Sequence, residues 1–187
     1  MTTVSGVLSE ASTRMAKSVD ALKRELGTIR TGRANPVLVQ AVMVDYYGVP
    51  TPLGQLATIS VPEARVLSIQ PWDKGCLRDV EKGILRSDLG LVPNNDGTLI
   101  RINIPAPTEE RRRDLAKLVA RKVEESRVAV RNVRRDALDR LREMERAKEI
   151  SQDEGKRAQE QLQRLTDANI SQMDALHEEK EAEVMEV

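Results

Sequence analysis

The residues best suited to chemistry are four arginines, Arg127, Arg131, Arg134 and Arg135. The first three step by four and then three residues, so on a helix they share one face, and the next position in that series, Leu138, carries no charge. A guanidinium stays charged and presents a planar fork of donors, which suits it to phosphate oxygens. The same arginines also fit a solvated helix face on which they pair with Glu124 and Asp139. On pattern alone that is the better account, because charge runs are weak signals. Arg30 and Arg33 form a second basic site at the end of the first apolar stripe, where a cation complements a helix C-terminus as well as it would meet a phosphate. Arg111, Arg112 and Arg113 are hemmed in by Glu109, Glu110 and Asp114 and have a more structural character.

Other chemistries lack their parts. There is no glycine-rich phosphate loop, His177 sits in an acidic terminal stretch, and Cys76 has no base near it in sequence. One cysteine and one histidine make neither an internal disulfide nor a usual zinc set. Enzymatic activity is therefore not expected, and no cofactor or metal is implied. With one Trp, two Tyr and no Phe, binding of single strands by stacking is not expected either. Tyr46 and Tyr47, adjacent in a strand, should face opposite sides, and Trp72 should lie in a core.

Balanced totals, 30 basic and 30 acidic residues, give no global attraction for polyanions, so any such attraction has to be local. Residues 106–148 hold 14 basic and 9 acidic side chains, whereas residues 149–187 hold 4 and 11. Neighbouring helices that attract each other would explain this contrast, and so would a basic face for a polyanion. No apolar run is long enough to span a membrane, and the first residues lack a secretory pattern, so a cytoplasmic protein with no membrane partner is expected.

The arginines need long helices to position them. Val4, Leu8, Ala11, Met15, Leu22, Leu26 and Ile29 form one stripe, interrupted near Ser18, over a helix about 40 Å long. A second helix should start at Thr108, with Glu109 and Glu110 in its first turn and a seam of Leu115, Val119, Val123, Ser126, Val130, Val133, Ala137, Leu141 and Met144. A third opens with the capping box Ser151-Gln152-Asp153-Glu154 and runs through Ala158, Leu162, Leu165, Met173 and Leu176, with Asn169 breaking its stripe. Such narrow seams require mutual packing, and the short break between the last two helices favours a hairpin within one chain, hence a monomer.

Residues 33–105 are strand-rich. Leu38–Tyr47, Leu56–Val61, Val66–Ile69 and Leu99–Ile104 have strand composition, Leu77–Leu89 has helical spacing, and Pro93-Asn94-Asn95-Asp96-Gly97 is expected to be a turn. The fold class is therefore α+β: a three-helix bundle of 1–30 plus 106–187 with a small β/α/β domain, 31–105, inserted in it. Paired linkers near 30–36 and 103–107 should act as a hinge, with Thr31, Gly32, Pro36, Pro105 and Pro107 setting its limits.

The segments IRTGRANP at 29–36, VDYYGVPTPLGQLA at 44–57, SDLGLVPN at 87–94, EERRRDLAK at 109–117, RVAVRNVRRDA at 127–137 and KEISQDE at 148–154 occur in this order. Together they resemble the ribosome recycling factor family over essentially the whole chain. The stretch WDKGCLR at 72–78 carries none of these motifs. The resemblance implies an L-shaped, tRNA-like protein that helps disassemble the post-termination ribosome with elongation factor G and GTP, hydrolysing nothing itself. It further implies that the bundle meets large-subunit ribosomal RNA through Arg131 and Arg134 above all, with Arg127, Arg135, Arg30 and Arg33 as further contacts, and that the elongation factor pushes the smaller domain. The rival account is a helical-hairpin adaptor without RNA contact, which explains the seams and the charge balance but not the motif series.

Overall fold

A computed structural model describes residues 2–186. In chain order the elements are α1 (Val4–Thr28), α2 (Val37–Gln40), β1 (Met43–Tyr46), β2 (Val49–Pro52), β3 (Ala57–Glu63), β4 (Val66–Pro71), α3 (Leu77–Arg86), β5 (Pro93–Asn95), β6 (Ile100–Asn103), α4 (Glu109–Arg146) and α5 (Gln152–Met185). Short 3-10 turns precede β3 and α3. The described residues divide into two compact units, one of residues 2–30 and 109–186 and the other of residues 31–108.

The first unit packs α1, α4 and α5 around one apolar core. Thr3 caps α1 by accepting from the Gly6 amide, and Ser151 caps α5 by accepting from the Glu154 amide, as the capping-box sequence requires. The α1 seam is Val7, Ala11, Met15, Val19, Leu22 and Leu26, with Val4, Leu8 and Ile29 at its margins. Val19 closes the gap at Ser18, whose carbonyl accepts the Ser126 hydroxyl of α4 at 3.3 Å. A hydroxyl therefore fits in the α4 seam because it finds a partner.

Asn169 does not interrupt the core but enters it. Its side-chain amide is buried and donates to the Leu165 carbonyl at 2.8 Å, with the Met15 sulfur at 3.9 Å. Thr166 is buried beside it and donates to the Leu162 carbonyl. Bonding to the preceding turn offsets the desolvation that would otherwise exclude these groups.

Between α4 and α5 the chain reverses at Lys148, which holds φ at +58°. The Glu149 amide donates to Met144 and the Lys148 amide to Glu145. These two bonds make a Schellman end with lysine in the position usually given to glycine.

In the second unit the sheet order is β3-β4-β6-β5, all antiparallel, with a separate β1-β2 hairpin. Leu67, Ile69, Ile100 and Ile102 share a core with Val80 and Ile84 of α3 and Val44 of the hairpin. Three local expectations are corrected. Leu38–Ala41 is not strand: Pro36 and the Asn35 side chain, which accepts from the Val37 amide, start a helical turn, and extended backbone begins only at Met43. Pro93-Asn94-Asn95 is not turn but strand β5. As an edge strand it tolerates proline, and the reversal is left to Asp96 and Gly97, where the Asp96 carboxylate accepts from Thr98 and Leu99. Trp72 is exposed, its indole donating to Thr58, because it continues the outward-facing side of β4.

Both connections into this unit are tied to one turn. The Ala34 amide donates to the Ala64 carbonyl and the Ile104 amide to the Arg65 carbonyl, each at 2.8 Å. Gly32 has φ +80°, and a Cβ there would lie 2.7 Å from Pro107 Cδ, so the crossing of the two connections admits only glycine without strain.

Candidate nucleic-acid interface

Helix α4 is fixed in rotation by Val123, Val130, Val133, Ala137 and Leu141, all buried. At 3.6 residues per turn, Arg127, Arg131 and Arg134 then fall within about 60° of arc to one side of that seam, with Arg135 at its outer margin. This side borders α5, because Arg127 reaches Asp174 across the helix pair. The opposite flank of α4 meets α1 through ion pairs of Arg14 with Asp136, Lys122 with Glu25 and Arg140 with Glu10.

The four arginines are not equivalent. Arg127 has only 23% of its side chain exposed and spends three contacts on carboxylates. Its Nε donates to Asp174 Oδ1 at 3.1 Å, one Nη donates to the same oxygen, and the other donates to Glu124 Oε2 at 3.3 Å. Arg131 is 51% exposed and donates once, to Glu124 Oε1 at 3.0 Å. Arg134 is half-buried and Arg135 exposed, and neither makes a hydrogen bond or ion pair with any described residue. Glu124 holds its carboxyl below the usual carboxylate range, chiefly through the bonds from Arg131 and then Arg127.

Pairing with Glu124 was legible from spacing, but Asp139 takes no part, and the stronger partner is Asp174 of α5. Asp174 could not be found from α4 alone, since it depends on the register of the hairpin. Arg127 is committed to carboxylates, Arg131 is shared, and Arg134 and Arg135 have no partner among the described residues.

Arg30 lies immediately beyond the end of α1, whose cap is Ile29 and whose last turn holds no basic residue. It is exposed, and it is not brought to the Arg131 cluster, because Glu25 of α1 already faces Lys122, nine residues before Arg131. Arg33 is exposed in the second unit. Thr31 is buried.

Tyr46 and Tyr47 do not face opposite sides. Tyr47 leaves the strand at φ +49°, which brings the two rings edge to face with centroids 4.7 Å apart. The Tyr47 hydroxyl donates to Asp73 at 2.8 Å, and this bond, with the Asp73 charge, pushes the phenol up to about 12. Cys76 is buried, and burial raises its thiol, so it does not supply a reactive thiolate. Among the described residues no group of three His, Cys, Asp or Glu is placed to hold a metal ion, and no helix is long and apolar enough to cross a membrane.

The sequence model of the family described as "Ribosome recycling factor" matches residues 22–185. This chain belongs to that family. Ribosome-recycling factors of Geobacillus sp. (strain WCH70) and Dehalococcoides mccartyi (strain ATCC BAA-2266) are 56% and 50% identical to it over 184 residues, covering 98% of this chain and all of each relative. The solution structure of a ribosome recycling factor is 44% identical with a TM-score of 0.71, covering all of both chains. A second, the T. thermophilus factor described with E. coli elongation factor G bound to the E. coli post-termination complex, is 45% identical with a TM-score of 0.63 and covers 99% of this chain and all of that one. The likeness to recycling factors spans the bundle and the inserted unit alike, and with it the α+β fold class expected from the alternation of seams and strands.

Proposed function

We propose that this chain acts as a ribosome recycling factor: it binds the post-termination ribosome and, with elongation factor G and GTP, promotes splitting into subunits with release of mRNA and tRNA. The observation that carries this is its full-length correspondence to ribosome recycling factors, one of them described with elongation factor G on a post-termination complex. The factor is non-enzymatic, and GTP hydrolysis belongs to its partner. Its place of work is the cytoplasm, where its ribosomes are.

Within that function the bundle is the ribosome-binding part, and Arg131, Arg134 and Arg135 are its contacts with phosphates of large-subunit rRNA. Two partnerless guanidiniums and a third with one donor committed, all along one side of α4, support this. Arg127 braces α5 against α4, and Arg30 of the bundle and Arg33 of the inserted unit are smaller, separate contacts. The unit of residues 31–108 receives the push of the elongation factor. The ties at Ala34 and Ile104 support a hinge at Thr31 and Gly32 on one connection and at Pro105 and Pro107 on the other, with Pro36 starting α2.

Subunit splitting from a model post-termination complex, with elongation factor G and GTP, tests the function. Addition of this protein should accelerate splitting. An unchanged rate with every compatible elongation factor contradicts it.

A further inference from the structure

A carboxylate in the middle of a face meant for phosphates needs a reason. Glu124 stands three residues before Arg127 and seven before Arg131, on their side of α4, and half of its side chain is exposed. By charge alone it repels a polyanion. Its two oxygens are divided between the two arginines, Oε2 to Arg127 at 3.3 Å and Oε1 to Arg131 at 3.0 Å. Arg127 is in turn gripped by Asp174 from α5. The result is an unbroken chain of alternating charge, Asp174–Arg127–Glu124–Arg131, running from one helix across the groove and out along the other.

The ends of this chain differ. At the Asp174 end the guanidinium is shielded and most of its donors are taken, so it is anchored. At the far end Arg131 is half exposed with four of its five N–H donors uncommitted. An arginine in water samples many rotamers, and binding through it costs the entropy of choosing one. A single bond to an anchored carboxylate limits that choice and leaves the outer edge of the fork facing solvent.

We infer that Glu124 is a positioning residue for RNA binding, holding the Arg131 guanidinium in its binding direction through the Arg127–Asp174 anchor. This rests on the assignment of the α4 arginine face to rRNA phosphates. It makes the sign of one substitution opposite to what charge predicts. Removing a negative charge from a phosphate-binding face should tighten binding, whereas removing a positioning group should weaken it.

The test is equilibrium binding of the full chain to large ribosomal subunits over a series of salt concentrations. Glu124→Ala should weaken binding about two- to tenfold, the cost of ordering one long side chain. The salt slope should stay nearly unchanged, because Arg131 still reaches its phosphate. Glu124→Gln keeps one acceptor oxygen but turns an N–H2 donor toward the other arginine, so it should recover only part of the loss. In an Arg131→Ala background, where the slope has already dropped by about one unit, Glu124→Ala should no longer weaken binding. Circular dichroism of each variant verifies the helices. Tighter binding by folded Glu124→Ala, or equal weakening with and without Arg131, overturns the positioning role while leaving the arginine face standing. Unchanged binding and slope in Arg131→Ala and Arg134→Ala together overturns the face itself and the positioning role with it.

Discussion

The two units present different surfaces to their surroundings. The bundle is sheathed in charge. Among its described large hydrophobic side chains only Val128 and Met185 are conspicuously exposed, and its helices exchange ion pairs along both flanks of α4. The inserted unit exposes Val37, Met43, Tyr47, Val49, Val61, Trp72, Leu85 and Val92. A charged face with uncommitted arginines suits a hydrated polyanion, whereas exposed aromatic and aliphatic groups suit a protein partner. On the proposed function, one chain would carry two recognition chemistries on two separately built cores.

Separate cores can be tested most forcefully by emptying one of them. Leu141→Ala in the bundle and Leu67→Ala in the inserted unit each remove a fully buried side chain and should cost about 2–5 kcal/mol. Helical circular dichroism reports mainly the bundle, and fluorescence of Trp72, the single tryptophan, reports the inserted unit. Leu141→Ala should shift the first denaturation curve much more than the second, and Leu67→Ala the reverse. Coincident shifts of both signals would show that the two cores unfold as one.

A smaller effect is expected at the crossing of the connections. Gly32→Ala forces a side chain into a positive-φ site 2.7 Å from Pro107 and should destabilise by about 1–3 kcal/mol. The loss should be read by Trp72 fluorescence. A loss confined to the helical signal would place the strain in the bundle instead.

Lys148→Gly should act in the opposite direction, adding about 0.5–1 kcal/mol to the bundle by relieving the left-handed strain at the Schellman end, net of the greater entropy of glycine. Chemical denaturation followed by circular dichroism would show it. No gain would mean that the lysine side chain offsets its backbone cost.

The gentlest probe concerns the inserted unit's exposed Tyr47–Asp73 pair. An absorbance titration should show a tyrosinate step displaced to about 12, and Asp73→Asn should return it toward 10. Because the folded value is raised, the bond's contribution is complete below pH 10 and fades as pH rises through about 12. Asp73 is lowered, first by the Tyr47 bond, so its side of the pair is lost only when pH falls through that depressed value. A tyrosinate step unmoved by Asp73→Asn would separate the two groups.

The bundle was more legible in the sequence than the inserted unit, for physical reasons. A helical seam repeats every three or four residues, so Leu115 to Met144 could be read directly, and the Ser151 cap was spelled out by Glu154. What escaped were the polar core positions. Asn169 and Thr166 look like interruptions until their bonds to the preceding turn are visible. In the inserted unit, Leu38–Ala41 has strand composition but follows Asn35-Pro36, whose local bonding starts a helical turn. Trp72 is a large aromatic, which suggests a core, but strand parity puts it outside. Of the arginine face, spacing supplied the shared side of α4. The division into an anchored Arg127, a shared Arg131 and the partnerless Arg134 and Arg135 required Asp174, which only the hairpin register brings near.

The central claim is that this face meets rRNA phosphates, and it is tested most directly by the salt dependence of binding to large ribosomal subunits. The wild type should be compared with a variant carrying Arg131→Ala, Arg134→Ala and Arg135→Ala together. The slope of log K against log salt should fall by about three units, one for each lost phosphate contact, with the helices intact by circular dichroism. An unchanged slope and affinity in the folded variant would contradict the assignment.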